Sequence, residues 1–156
     1  MNHCVIETPA GRLCIWEIRE CITECAWVNA PLRAPETPLL TAAAREVEEY
    51  FKRQRRSFDL PVAAPGTELE RAVWQAVLAV PYGRTVTAAA LAKKLGMVKK
   101  MRAVISACNK NPVALFVPCH RVTAEDGDGG YVGGLEVKRA LWAVEGIRRG
   151  PDEKTE

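Results

Sequence analysis

With 156 residues, 48% of them hydrophobic, the chain has room for one compact domain, or for a small N-terminal unit and a larger C-terminal one. The net charge is only +3, and no apolar run approaches membrane-spanning length, which argues against a helical membrane protein. Six cysteines, at positions 4, 14, 21, 25, 108 and 119, follow an N-terminus without a secretory pattern and fit a reducing, cytoplasmic compartment better than a disulfide framework.

Residues 1 to about 30 read as strands, Cys4 to Thr8 and Arg12 to Ile18 around a Pro9-Ala10-Gly11 turn, with Ile22 to Val28 as a candidate third. Pro31, Pro35 and Pro38 mark a loop, and a helix is expected from about Thr41 to Gln54, with Ala44, Val47, Tyr50 and Phe51 on one face. Arg53, Arg55 and Arg56 suit the partial negative charge at that helix's C-terminus. Phe58 to Val62 reads as a short extended segment, and the linker Ala63 to Gly66 places a boundary between an N-terminal unit, 1–63, and a C-terminal domain, 64–150. A polar tail, 151–156, follows.

Thr67 and Glu70 make a capping box for a helix with Leu69, Val73, Ala76, Val77 and Val80 on one face, stopped by Pro81-Tyr82-Gly83. Thr87 caps a short helix, Ala88 to Leu95, Gly96 turns the chain, and a further helix runs from about Lys99 to Cys108. Two short helices with glycine between them form a helix-turn-helix pattern, for which an ordinary helical hairpin is the competing reading. From Lys93 to Lys110 there are six basic residues, Lys93, Lys94, Lys99, Lys100, Arg102 and Lys110, and no acid, the charge pattern of a phosphate-binding face. Small residues at Ala103, Ser106 and Ala107 allow close approach to a nucleic-acid backbone, and Arg102 is long enough to enter a groove.

Asn111 to Arg121 puts a thiol and an imidazole, Cys119 and His120, at the end of the apolar run Val113 to Val117, expected as a buried extended segment. A buried small hydrophobe is the bland reading of Cys119, but a neighbouring imidazole or cation can favour its thiolate. Adjacent side chains of an extended chain point apart, so the pair needs a bend or a bridging water. After a glycine-rich loop, Thr123 to Gly130, the stretch Tyr131-Val132-Gly133-Gly134 turns sharply and permits close approach of a planar ligand. The last helix, about Glu136 to Val144, carries Val137, Ala140, Leu141 and Val144 at helical spacing. Glu145 at its C-terminal end opposes the helix dipole and calls for a partner, for which His120 is the natural candidate.

Pro118-Cys119-His120-Arg121-Val122, with Asn111-Pro112 before it and Tyr131-Val132-Gly133-Gly134 and Glu145-Gly146 after it, resembles the O6-alkylguanine-DNA alkyltransferase family. Thr8-Pro9-Ala10-Gly11, Glu49-Tyr50-Phe51, Phe58-Asp59-Leu60-Pro61, Ala72-Val73-Trp74 and Pro81-Tyr82-Gly83 extend the similarity over nearly the whole chain. The resemblance implies repair of DNA by irreversible, single-turnover transfer of an alkyl group from O6 of a flipped guanine to Cys119. His120 takes the thiol proton through a water, Glu145 orients His120, and Asn111 is the hinge. It also implies a base pocket at Tyr131, Val132, Gly133, Val122 and Ala88. Minor-groove contacts to duplex DNA are implied for Arg102, Ala103, Lys99, Lys100, Ser106 and Arg121, in a monomer with no cofactor.

Several positions depart from the family pattern. Ala88 stands where members carry a tyrosine credited with protonating the departing guanine, Ile105 and Ser106 replace a glycine and a small residue, and Ala114 replaces a frequent proline. Ile105 either obstructs docking or points into the core beside Met101 and Cys108. Some members hold a zinc ion in the N-terminal unit, but His3, Cys4, Cys21 and Cys25 lack a diagnostic spacing, and no metal is expected. The expected fold is α/β, a small sheet-and-helix unit packed on a mostly helical domain. Two alternatives stand beside the transferase: a DNA-binding damage sensor that has lost efficient transfer, motivated by Ala88 and Ile105, and a cysteine hydrolase, for which His3 is a poor base.

Overall fold

Three antiparallel strands open the chain, β1 (Asn2–Thr8), β2 (Gly11–Ile18) and β3 (Cys21–Val28), in the order β1-β2-β3. The structure is a computed structural model that describes residues 2–125 and 127–148; the expected polar tail lies outside them. Thr8 pairs with Gly11 across Pro9-Ala10, and Ile18 with Cys21 across Arg19-Glu20, whose φ angles of 52° and 62° match the right-handed twist of a two-residue hairpin.

Side chains alternate across this sheet, so Cys4, Ile15 and Cys25 share one fully buried face with Leu13. That face meets α1 (Pro38–Phe51) through Leu40, Ala43, Val47 and Tyr50. The helix starts earlier than expected because Thr37 caps it by accepting the Leu40 amide, and Pro38, read as a loop residue, sits in the first turn where its missing N–H costs nothing. Arg55 folds back on Glu49 at 2.9 Å and Glu46 at 3.5 Å, so its partners are carboxylates of α1. The mixed sheet-and-helix class is as expected.

Both outer edges of the sheet are covered. Val5 exchanges two main-chain hydrogen bonds with Arg33 along β1, while Ile22 of β3 bonds Pro61 and Ala63. Further along β3, the Cys25 amide donates to Pro112 at 2.8 Å and the Ala114 amide to Cys25 at 3.0 Å. Residues 112–116 therefore belong with the first of two compact units, Met1–Pro65 with Pro112–Phe116; the second is Gly66–Asn111 with Val117–Glu156. From sequence that run is expected in the C-terminal domain as one extended segment. It is buried but bent, with Leu115 at a φ of 75°.

The second unit holds α2 (Glu68–Leu78), β4 (Val86–Thr87), α3 (Ala88–Lys94), α4 (Met101–Asn109), β5 (Val122–Thr123) and α5 (Leu135–Glu145). Thr67 and Glu70 form the expected capping box, worth about 1 kcal/mol. Val73, Val77, Leu91, Val104 and Leu141 are at most 1% exposed, each contributing roughly 1.5–3 kcal/mol by burial. Trp74 locks α2 to α4, its indole N–H donating to Ala107 O at 2.9 Å. The α3-turn-α4 pair is the expected helix-turn-helix, with a short 3-10 segment, Val98–Lys100, leading into α4. Not foreseen was the parallel pair β4–β5, which sets Val86 opposite Val122 and Thr87 opposite Thr123 and so seats the start of α3 beside the Cys-His turn.

Candidate active site

Cys119 to Arg121 form one 3-10 turn, so the Cys-His step is a bend and the extended-chain objection does not apply. The turn is held from α5. The Trp142 indole donates to His120 O at 2.7 Å, and Glu145, one turn further on, receives the side chains. His120 is fully buried and its Nε2 lies 2.6 Å from Glu145 Oε2. Arg121 donates to both carboxylate oxygens, at 2.9 and 3.1 Å, and the Gly83 amide donates to Oε1 at 2.9 Å. Glu145 thus accepts four hydrogen bonds, answering its placement at a helix C-terminus.

Gly83 is required at this contact. Its φ is 79°, and a Cβ there would stand 3.3 Å from Glu145 O. Burial alone would raise the Glu145 carboxyl, but hydrogen bonds and charge from His120 and Arg121 bring it down to about 2. A carboxylate only accepts, so His120 Nε2 carries the hydrogen and Nδ1 presents a lone pair. That Nδ1 is buried and, among the described residues, has no hydrogen-bond partner. Burial lowers the imidazole from its usual value of 6.5 despite Glu145, so the ring is neutral and basic near neutral pH.

Cys119 is 3% exposed on the wall of a cavity of about 160 Å³, shared with Ala88, Cys108, Tyr131 and the Gly129-Gly130 loop. A hydrogen bond with the Cys108 thiol, and burial, push the Cys119 thiol up, while Lys138 and Asn111 pull it down. The resting group is a thiol that needs a base. Asn111 Nδ2 also donates to Val117 O at 2.7 Å, tying together the two points between which residues 112–116 leave the second unit.

Of the expected pocket residues, Ala88, Val122 and Tyr131 line the cavity. Val132 and Gly133 do not: the lining ends at Tyr131, and Val132 is 45% exposed in the turn that follows. Lys99, Lys100 and Arg102 are exposed, with Ala103 and Ser106 half-buried on α4. Arg121, expected on the DNA face, is instead buried, its guanidinium held by Glu145 and by Val80 O at 2.9 Å. Ile105 is 41% exposed and lines the cavity, so it does not pack in the core with Cys108. Sequence reading missed Cys108, Asn109, Thr123 and Lys138. For Cys108, Asn109 and Lys138 the signal is the spacing that brings α4 and α5 against the Cys-His turn, visible only once the helices are oriented, and Thr123 is placed by the β4–β5 pair.

A helix-turn-helix unit with a buried cysteine, a neutral histidine and a fixed carboxylate has the layout of a protein that carries out thiol chemistry beside a basic surface. A family model described as the DNA-binding domain of 6-O-methylguanine DNA methyltransferase matches residues 68–147. The constitutive methylated-DNA–protein-cysteine methyltransferase of Bacillus subtilis is 37% identical over 153 residues, 90% of this chain and 93% of that protein. A Mycobacterium tuberculosis protein of the same description, without the word constitutive, is 36% identical over 159 residues, covering 97% and 96%. The crystal structure of Mycobacterium tuberculosis OGT in complex with DNA superposes with a TM-score of 0.83 at 32% identity, covering 92% of each chain. The chain belongs to the 6-O-methylguanine DNA methyltransferase family.

Proposed function

We propose that this protein repairs DNA by moving an alkyl group from O6 of guanine onto Cys119. The observation that carries this reading is the Cys119 turn, with His120 fixed by Glu145 and its Nδ1 open. In the proposed step the Cys119 proton passes through a water to Nδ1, and Sγ attacks the alkyl carbon. The carbon–O6 bond breaks as the sulfur–carbon bond forms, and guanine leaves with the electron pair and takes up a proton from water, which the imidazolium replaces when it returns to the neutral ring. Glu145 stabilises the imidazolium that results. A thioether has no route back to thiol in this site, so each molecule reacts once, and no cofactor is called for.

The base must leave the stack to reach a thiol that is only 3% exposed, so the nucleotide flips into the cavity beside Tyr131. The exposed cations Lys93, Lys94, Lys99, Lys100, Arg102 and Lys110 form the docking face for duplex DNA. Arg102 enters the duplex from the minor-groove side and fills the gap. The protein acts as a monomer. Among the described residues no helix is long and apolar enough to cross a membrane, and a reduced Cys119 suits work at DNA in a reducing compartment, cytoplasmic or nucleoid-associated.

Intact-mass measurement after mixing with a duplex carrying one O6-methylguanine tests this, beside a Cys119→Ser control. One methyl added to the wild type alone, stopping at one equivalent, is expected. No mass change with lesion binding retained sinks the transferase reading in favour of a damage sensor, for which the cavity's Ala88 wall, with no hydroxyl, is the motive.

A further inference from the structure

Lys138 is wholly buried on the inner face of α5, a placement that hydrophobic spacing alone gives to no lysine. An ammonium has three N–H donors. Its Nζ lies 2.7 Å from Val122 O, 2.6 Å from Asp128 O and 2.9 Å from Gly130 O. Val122 continues from the Cys119 turn, whereas Asp128 and Gly130 belong to the loop that folds back beside it, and Val122, Gly129 and Gly130 all line the cavity. One side chain therefore cross-links two segments of the pocket lining.

The loop is shaped around that ammonium. Gly129 has a φ of 78°, and a Cβ there would stand 3.1 Å from Ala124 N and 3.4 Å from Lys138 Nζ. The Asp128 carboxylate is engaged elsewhere, by Arg139 at 2.9 and 3.2 Å, so the loop meets Lys138 with main-chain oxygens. Carbonyl dipoles offset the desolvation of the charge without adding a competing anion beside Cys119.

We propose that Lys138 is the positioning residue of the base pocket: its three carbonyl contacts fix the spacing between the Val122 wall and the Asp128–Gly130 loop, and so the place of the flipped purine relative to Cys119. This rests on the transferase reading above. The titratable and charged groups around Cys119 and His120 are Cys108 from α4, Arg121 from the same turn, and Lys138 and Glu145 from α5. Losing the ammonium also removes a cation that favours the thiolate, and the test separates the two effects.

Full-length Lys138→Met and Lys138→Arg are compared with wild type in three assays. These are equilibrium binding to an undamaged duplex, the methyl-transfer rate at saturating O6-methylguanine duplex, and the pH profile of Cys119 labelling by iodoacetamide, read by peptide mass. Expected for Lys138→Met are unchanged duplex binding and a transfer rate lower by about a hundredfold at every pH, the size of a misplaced reacting pair. Its labelling profile moves to higher pH with its plateau kept. Lys138→Arg, which keeps the charge and the donors, recovers part of the transfer rate and covers the case in which the methionine variant does not fold. Transfer that falls only in step with labelling, or does not fall in either variant, overturns the proposal. Failure of the wild type itself to accept a methyl group would instead overturn the transferase reading.

Discussion

His120 Nε2 and Glu145 Oε2 stand 2.6 Å apart with both side chains at 0% exposure, and this contact decides which ring nitrogen is free. With Nε2 committed to the carboxylate, only Nδ1 is left to serve as a base. Replacing Glu145 with glutamine keeps the shape but removes the charge that fixes the tautomer and stabilises the imidazolium. Methyl transfer by Glu145→Gln, measured in single turnover, is expected to slow by about a hundredfold or more. Arg121 would lose its counter-charge in a buried setting, so thermal unfolding should also show a loss of about 3 kcal/mol.

Acid should lower the protein's stability in two stages. The Glu145 carboxyl falls from its ordinary 4.5 to about 2 in the fold, so its contribution is present above pH 4.5 and is lost as pH falls toward 2. The difference corresponds to about 3 kcal/mol. His120 is also lowered from 6.5, so below that pH the unfolded chain binds a proton that the fold resists, and stability declines in the same direction. The melting temperature is expected to fall gently as pH drops below 6.5 and more steeply below 4.5, and Glu145→Gln should flatten the second stage. A melting temperature independent of pH over that range would contradict the ionised Glu145.

Sequence reading reached the elements whose signals are local. The capping box at Thr67 and Glu70, the glycine turn between α3 and α4 and the alternation in β2 all depend on residues a few positions apart. It fell short where burial and polarity disagree. For α5, Val137, Ala140, Leu141 and Val144 stand at helical spacing, yet the buried residues are Lys138, Leu141, Trp142 and Glu145, and of the two charged ones only Glu145, with its partner His120, is expected from sequence. Two charged side chains face inward because each has partners from distant segments, the carbonyls of 122–130 and the His120-Arg121 turn. Arg121 misled in the same way: a cation beside a reactive cysteine reads as a DNA contact until Glu145 and Val80 are seen to hold it. The bend at Leu115 was hidden because an all-apolar run gives no sign of a positive φ.

Thr123, in the cavity lining, offers a test of stability. Its hydroxyl is buried and, among the described residues, has no partner, although the residue is only 2% exposed. Leaving such a group unsatisfied is costly, and Thr123→Val removes it at nearly constant shape. Chemical denaturation should show the variant more stable by about 1 kcal/mol. A loss of that size would mean the hydroxyl has a role that its lack of a protein partner does not reveal.

The basic face and the pocket should separate in the salt dependence of binding. Lys99 and Lys100 are exposed, so replacing both with alanine is expected to reduce the slope of log affinity against log salt by about two. Transfer from a free O6-alkylguanine base, which needs no phosphate contact, should be unchanged. Arg102→Ala is expected to slow transfer from duplex DNA while also sparing the free base. Equal losses on both substrates would show that α4 acts through the cavity and not through DNA.

Ala88 decides how much acid catalysis the cavity retains. It is buried at the start of α3, on the cavity wall shared with Cys119, and its methyl group can give no proton to a departing guanine. Thr123 and Tyr131 are the hydroxyl-bearing residues of the lining; the first has its hydroxyl oxygen fully buried, and the second meets the His120 ring edge-on at 6.3 Å. If leaving-group protonation limits the reaction, Ala88→Tyr should raise the single-turnover transfer rate at neutral pH. The expected gain is at least about tenfold, at the modest end of general acid catalysis. The added ring must occupy part of a cavity of about 160 Å³, so the same variant should lose rate when methyl is replaced by benzyl on O6. A methyl-transfer rate unmoved by Ala88→Tyr would place the slow step before bond breaking, in flipping or docking, and Ile105 at the cavity mouth would then be the side chain to shorten.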